Sequence, residues 1–229
     1  MRKSYVILGL ILLSFSASPN IETLFVNYNE FPYKTDSELF EDILHNNYNA
    51  FDASLLKELY ENVIHLDKYS NNEVVRALIE IDSLRQNNVS EEQIEEQYWE
   101  FNEIKLLALH KLTLESGIEI YTWSLAYSDG NQGPEIIFAT IFKNKRPYSC
   151  FQLAHNSSFS ESPMWCEWYT DSKIFKNGKV IIHDFYRLGE YVEESGEKDI
   201  ESWETIEELF IGNGDINVIR NERIDKLII

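Results

Sequence analysis

Apolar residues in the first half of the chain recur mainly at the three- and four-residue spacing of amphipathic helices. Candidate helix caps precede these runs at Asp36, Asp52, Asn71 or Asn72, and Ser90. Ser90-Glu91-Glu92-Gln93 has the spacing of a capping box, in which the serine and glutamine side chains satisfy free backbone amides. The pattern predicts four helices, over residues 36–45, 52–66, 71–85 and about 90–117.

After Gly117 the apolar residues alternate with polar ones, which is typical of strands. Asn177-Gly178 lies between two such runs and is a strong signal for a type I′ hairpin turn. Helices that are segregated from an antiparallel sheet define the α+β class. We therefore predict an N-terminal helical layer of about four helices (residues 19–117) followed by a C-terminal antiparallel β-meander (118–229), packed as one compact domain. The predicted strands cover residues 118–127, 135–142, 148–154, 164–170, 173–175, 179–187, 203–211 and 216–219.

The first 20 residues have the three-part layout of a secretory signal peptide. Arg2 and Lys3 precede an apolar run over residues 5–15, and small residues follow at 16–18. The run is shorter than the roughly 20 residues that span a bilayer, and it lacks the regular polar positions of an amphipathic helix. We predict a signal peptide over about residues 1–18, a secreted or periplasmic protein, and no stable membrane span after processing.

The balance of charges restricts the partners. The chain carries 20 Lys and Arg residues against 39 Asp and Glu residues, a formal net charge of -19. Nucleic acids and anionic membrane surfaces are bound mainly through basic side chains, so both are disfavoured. The expected partner is an unknown protein or small ligand, with a cationic one favoured by charge. The Glu-rich segment from Glu91 to Glu103 is either a solvated helix face or a docking face for such a partner.

The two cysteines, Cys150 and Cys166, are predicted to form a structural disulfide. If a hairpin loop covers residues 155–162, the two residues lie directly opposite each other, at a separation that a disulfide accepts. An exported protein would favour the bond, whereas two buried free thiols are the alternative in a reducing compartment. A Cys-His hydrolase using His155 or His183 is a third interpretation, although no nucleophile motif surrounds either cysteine.

No catalytic or metal-binding pattern stands out elsewhere. The five histidines lack metal-ligand spacing, and the many carboxylates make chance pairs uninformative. Residues 129–135 alternate oxygen-bearing side chains but lack the EF-hand spacing, and a hairpin turn is expected there anyway. We predict no metal and no cofactor.

Aromatic residues of the sheet half are the candidate ligand-binding residues. Tyr127 and Trp123 share one face of their strand, which is either covered by the helices or exposed as an aromatic platform. Trp165 and Trp168 are an odd number of residues apart and must point to opposite faces, so one of them is the better surface candidate. The candidate set is Trp123, Tyr127, Trp165, Trp168 and Tyr169.

These observations favour an exported, soluble, non-catalytic ligand-binding or protein-interaction module of the cell envelope or exterior. Two alternatives are kept open. One is an acidic inhibitor or neutralising partner of a basic protein, and the other is a hydrolase that uses carboxylates or a Cys-His pair.

Overall fold

A computed structural model describes residues 21–45, 47–61, 65–66, 72–98, 104–127, 135–161, 163–192 and 196–226. The predicted signal peptide and most of the segment 129–135, with its alternating oxygen-bearing side chains, lie outside these residues. The helices are α1 (Ser37–His45), α2 (Ala53–Leu56), which continues into a π-helical turn (Lys57–Glu61), α3 (Glu73–Gln86) and α4 (Glu91–Tyr98); a 3₁₀ turn covers Ile21–Thr23.

Twelve strands form one mixed sheet. They are β1 (Val26–Tyr28), β2 (Tyr33–Thr35), β3 (Asn49–Ala50), β4 (His65–Leu66), β5 (Ile104–Thr113), β6 (Glu119–Tyr127), β7 (Glu135–Lys143), β8 (Arg146–Glu161), β9 (Met164–Ile174), β10 (Lys179–Val192), β11 (Gly196–Gly212) and β12 (Asp215–Lys226). Strands β5 to β12 pair in chain order and antiparallel. The short strands join them at several points: β1 and β4 pair in parallel with β5 and β8, and β2 and β3 pair antiparallel with β9 and β5.

The predicted fold class, a helical layer followed by an antiparallel meander, is wrong. The molecule is mostly a large mixed sheet with short helices, and four of its strands lie between or before the helices. The longest predicted helix ends at Tyr98, and the chain from Ile104 to Thr113 is strand β5. Because β5 is buried on both faces, its apolar residues do not alternate with polar ones, and their spacing resembles that of a buried helix.

Two hydrophobic cores hold the layers together. In the first, the helices pack through Leu59, Val75 and Ile94 on the side chains of Trp123 and Phe138 in strands β6 and β7. The second joins strands β6 to β8 to strands β9 to β11, and its members include Ile120, Ile141, Phe151, Ile174, Val180 and Leu209. Strands β5 to β8 are therefore covered on both sides. Strands β9 to β12 contribute mainly residues close to their hairpin turns, such as Ile174, Val180 and Ile211.

The β9–β10 hairpin forms at the predicted Asn177-Gly178 but by a different turn. Only Gly178 has a positive φ, of 92°, and its N–H bonds to the carbonyl of Phe175 at 2.9 Å. A Cβ at residue 178 would lie 2.7 Å from the carbonyl oxygen of Ile211. Glycine is therefore required here both by the backbone conformation and by the close approach of strand β11.

The predicted disulfide is also wrong, because strand β8 runs on to Glu161 and the hairpin turns tightly after it. In this register Cys166 lies opposite Phe159, whereas Cys150 lies opposite Thr140 on the other neighbouring strand. Nine residues of β8 thus separate Cys150 from the position that faces Cys166, or about 30 Å of extended strand. Both cysteines are free and buried.

We expect two free thiols to be measured without any reductant. Alkylation of the unfolded, unreduced protein should add two groups to the intact mass, whereas the folded protein should react slowly because both thiols are buried. Burial also raises the pKa of the Cys166 thiol, which keeps it in the less reactive protonated form. A chain that takes up no alkyl group until it is reduced would contradict this register.

Candidate functional site

Three rows of side chains cross strands β9 to β12 on one face of the sheet. Residues directly opposite each other in antiparallel strands share a face, so the register defines the rows. They are Trp168, Tyr186, Trp203 and Asp225; Thr170, Asp184, Thr205 and Arg223; and Ser172, Ile182, Glu207 and Asn221.

A small pocket lies among these rows, and we call it the Trp168 pocket. Its volume open to water is about 40 Å³, which is room for roughly three water molecules or one functional group of a ligand. It is lined by Gln152, Trp168, Thr170, Ile182, Asp184, Thr205 and Glu207. The pocket thus combines one aromatic ring, two carboxyl groups, two hydroxyls and one amide.

Asp184 is fixed in place by its neighbours on strand β9. One carboxylate oxygen, Oδ1, accepts hydrogen bonds from Trp168 Nε1 at 2.8 Å and from Thr170 Oγ1 at 2.6 Å. These donors orient both the carboxylate and the indole ring. Since both bonds go to Oδ1, the second oxygen, Oδ2, has no hydrogen bond to the described residues.

Glu207 supplies the second carboxyl group from strand β11. Its side chain is nearly buried, with 5% of the residue exposed, and its Oε1 accepts a hydrogen bond from Asn221 Nδ2 at 3.1 Å. A ligand group that reaches the Glu207 carboxyl oxygens meets them in a site with little competing water, where a hydrogen bond is stronger than in solvent.

His155 of strand β8 borders the pocket. It lies opposite Thr170 in the sheet, and its ring meets the Trp168 ring edge to face, with centroids 4.8 Å apart. Burial lowers the pKa of His155, although the charge of Asp184 opposes the shift, so the imidazole is neutral at pH 7. Its Nδ1 has no hydrogen-bond partner among the described residues, and only 8% of the residue is exposed.

The structure brings one of the predicted ligand residues, Trp168, to this pocket. Trp168 is 40% exposed, whereas Trp165 is buried and faces the opposite side of β9, as the odd spacing predicts. Tyr169 is also exposed on that opposite side, where it stacks on Phe185 with centroids 4.7 Å apart. Trp123 lies in the helix-covered core, and Tyr127 ends strand β6, paired through its backbone with Ile104.

The polar residues of the pocket are absent from the predicted site, although the sequence carries a signal for them. Every second residue of a strand points to the same face. In β10 the core-facing residues Val180 and Ile182 are followed on that face by Asp184, and in β11 Ile211 and Leu209 are followed by Glu207. An acidic residue at a core-facing position is unusual unless it has a function or a partner.

A second depression lies on the helical side and is lined by Leu24, Ala50, Phe51, Asp52, Ser54, Leu55 and Glu58. Its volume open to water, about 300 Å³, is larger than that of the Trp168 pocket. It is built mainly from a loop and the short helix α2, and in the part of the chain that the structure describes none of its polar side chains is held by a side-chain hydrogen bond like those that fix Asp184. We prefer the Trp168 pocket because its side chains are ordered by the sheet.

Within the described residues, no helix is long and apolar enough to cross a membrane. The same part of the chain contains no group of three His, Cys, Asp or Glu side chains that could hold a metal ion. No protein-family model, curated protein or solved structure matches this chain.

Proposed function

We propose that this protein is an exported, non-catalytic binding module whose ligand site is the Trp168 pocket. The observation that carries the proposal is the hydrogen bond from Trp168 Nε1 to Asp184 Oδ1, which joins an exposed aromatic ring to an oriented carboxylate inside a pocket. Binding sites combine an apolar surface with a few fixed polar groups, and this pocket does so.

The chemistry of the pocket suits binding better than hydrolysis. Asp184 Oδ1 is held by two donors, Trp168 Nε1 and Thr170 Oγ1, which fix the carboxylate as part of the binding surface. Cys166 lies beside Tyr186, and Cys150 Sγ is 3.7 Å from Thr140 Oγ1. Both thiols are buried, and burial raises the pKa of Cys166, which supports a non-catalytic role over a Cys-His hydrolase.

Export rests on the N-terminal sequence alone, since the two cysteines form no bridge that would support it. We expect protein isolated from its native host to begin about 16–18 residues after Met1, because secretory signal peptides are cleaved after their small residues. Intact mass spectrometry of the native protein measures this directly. A mature chain that still carries Arg2 and Lys3 would refute export and leave the binding proposal unaffected.

The binding function is tested by an NMR screen that assumes no ligand class. Amines, guanidines, sugars and carboxylic acids are added in turn to ¹⁵N-labelled protein, and the indole N–H signals are recorded. We expect at least one class to shift the Trp168 indole signal, which reports its bond to Asp184, while the buried Trp123 signal stays in place.

Two variants serve as the control for this screen. Asp184→Ala keeps the Trp168 reporter and should abolish its shift, whereas Tyr169→Ala, on the opposite face of β9, should preserve it. If no compound shifts the Trp168 signal at millimolar concentration, or if Tyr169→Ala removes the response as fully, the pocket is not the binding site.

A further inference from the structure

Three tryptophan–aspartate pairs lie on strands β9 to β12, and two of them hold an arginine. In the first, the Arg187 guanidinium carbon lies 4.7 Å from the centre of the Trp165 ring, and Nε and Nη2 both donate to Asp199 Oδ1 at 2.7 Å. A cation over an indole ring is attracted by the negative charge on its face, and the carboxylate adds charge-assisted hydrogen bonds.

The second pair repeats this arrangement on the other face of the sheet. The Arg223 guanidinium carbon lies 4.9 Å from the centre of the Trp203 ring, and Nε donates to Asp225 Oδ1 at 2.7 Å. Trp203 and Asp225 are directly opposite each other in β11 and β12. This pair borders the Trp168 pocket, because Trp168 and Trp203 belong to the same cross-strand row.

The third pair is Trp168 and Asp184, and it differs from the other two in one respect. Its members are bonded to each other through Nε1 and Oδ1, and no Lys or Arg of the described residues lies over the ring or is ion-paired with Asp184. The carboxylate still has Oδ2 facing no described donor. This is also the pair that opens into a pocket, with Glu207 as a second carboxyl group.

We propose that the Trp168 pocket binds a guanidinium group, supplied either by a free guanidino compound or by an arginine side chain of a partner. The inference rests on the proposed binding function and names its ligand class. A guanidinium offers five N–H donors and no acceptor, and the pocket offers acceptor oxygens on Asp184, Glu207 and Gln152. The volume suits one planar group rather than a whole sugar ring or base.

The ligand test compares two compounds of almost the same shape. N-acetylarginine amide and N-acetylcitrulline amide differ in that citrulline carries a neutral urea, with an acceptor oxygen in place of one guanidinium nitrogen. We expect isothermal titration calorimetry to show binding of the arginine compound at least about tenfold tighter, because charge-assisted hydrogen bonds and the cation–ring contact are lost with citrulline. Equal affinities for the two compounds would overturn the inference.

Variants of the protein locate the binding. Asp184→Asn keeps the side-chain shape but removes the charge, and it should weaken binding of N-acetylarginine amide by about tenfold or more. Asp171→Asn changes a carboxyl group on the opposite face of β9 and should leave the affinity unchanged. If Asp184→Asn unfolds the protein, Glu207→Gln and Trp168→Phe provide the same comparison. Unchanged affinity in all folded pocket variants would contradict the proposal.

A further arm distinguishes the source of the guanidinium. A short peptide with one central arginine is compared with the single amino-acid derivative, and with the same peptide carrying citrulline. Tighter binding of the arginine peptide indicates an arginine side chain of a partner, whereas tighter binding of the small compound indicates a free ligand. The NMR screen separates this inference from the proposed function. If another chemical class binds and neither arginine compound does, the binding function stands and the guanidinium is refuted as the ligand class.

Discussion

Replacement of Trp123 by alanine is expected to lower the free energy of unfolding by about 3–5 kcal/mol. The Trp123 side chain has no exposed surface and stacks on Phe138, with ring centroids 4.5 Å apart. Phe51 and Tyr60 meet it edge to face from the helical side. Alanine would leave a large cavity between the helices and the sheet, and a packed core cannot collapse to fill it. Urea unfolding followed by circular dichroism measures the loss.

The controls for Trp123→Ala separate its packing from its hydrogen bond. Trp123 Nε1 donates to Thr140 Oγ1 at 3.0 Å, and Thr140 in turn donates to the carbonyl of Leu59 at 2.7 Å. Trp123→Phe removes the donor but keeps a ring, so we expect a smaller loss of about 1–3 kcal/mol. Trp168→Ala, at an exposed site, should cost about 0.5–1.5 kcal/mol for its hydrogen bond. Equal losses at residues 123 and 168 would contradict the assignment of Trp123 to the core.

The sequence predicts single elements well where local chemistry decides them. Helix α1 ends at His45 as predicted, and Asn72 caps α3 by accepting a hydrogen bond from the amide of Val75 at 3.1 Å. Ser90 caps α4 by accepting from the amide of Gln93 at 3.4 Å, whereas the Gln93 side chain accepts from the Ser90 hydroxyl at 3.0 Å, so half of the predicted capping box forms. Caps and turns depend on neighbouring residues, and a sequence pattern can therefore identify them.

Features that depend on distant contacts could not be predicted in this way. Strand β5 resembles a helix in its apolar spacing because both of its faces are covered, one by each core. The polar stretch Asn156-Ser157-Ser158 resembles a loop, yet it continues β8 because β9 pairs with it. That single error in the position of the turn shifted the cysteines by nine residues and produced the predicted disulfide.

The candidate site shows the same division. Strand alternation alone assigns Trp165 and Trp168 to opposite faces, and the register confirms it. Strand alternation does not show which face is covered, so both Trp123 and Trp168 stay in the predicted candidate set, although core packing is favoured for the face that carries Trp123. Asp184 and Glu207 come together only because β10 and β11 pair in one particular register. The hydrophobic pattern of two strands does not determine their register unless the position of the turn is also known.

A buried hydrogen-bond chain around His110 leads to the second large effect. Tyr48 donates to Asp42 Oδ2 at 2.5 Å, and its hydroxyl oxygen lies 3.5 Å from His110 Nε2. Tyr33, fully buried, lies 3.2 Å from His110 Nδ1 and 3.1 Å from Thr122 Oγ1. Since Tyr48 gives its proton to Asp42, it accepts from Nε2–H, and the Tyr33 hydroxyl links His110 Nδ1 to Thr122 Oγ1. Removing the Tyr33 hydroxyl would therefore take a hydrogen-bond partner from both groups.

Tyr33→Phe is expected to lower the free energy of unfolding by about 1–3 kcal/mol at neutral pH. The ring contacts remain, whereas the imidazole Nδ1 of His110 loses its hydrogen-bond partner in a site where the histidine is only 8% exposed. Urea midpoints of the variant and the wild type measure the difference. Tyr28→Phe is the control, because Tyr28 packs edge to face on Tyr33 and His110 but its hydroxyl forms no bond in the chain described above.

The same chain predicts how stability depends on pH. Burial lowers the pKa of His110 below its ordinary value of 6.5, although the charge of Asp42 opposes the shift. A folded-state pKa below the unfolded one means that the unfolded chain binds the proton more readily. The stability that depends on a neutral His110 is therefore complete above about pH 6.5 and is lost as the pH falls through the folded-state pKa. His155 acts in the same direction, whereas Asp171, whose pKa burial raises, opposes it at more acidic pH.

His110→Gln isolates this contribution from the others, because glutamine is polar but does not titrate. We expect the wild-type urea midpoint to fall between about pH 7.5 and pH 5.5, and the midpoint of His110→Gln, lower at neutral pH, to fall less over the same interval. His155→Gln should remove a separate part of the slope, since His155 contacts Trp168 whereas His110 contacts Tyr33. A His110→Gln midpoint that falls as steeply as that of the wild type would show that the imidazole is not held neutral by the fold, and that Tyr33 stabilises the protein through packing alone.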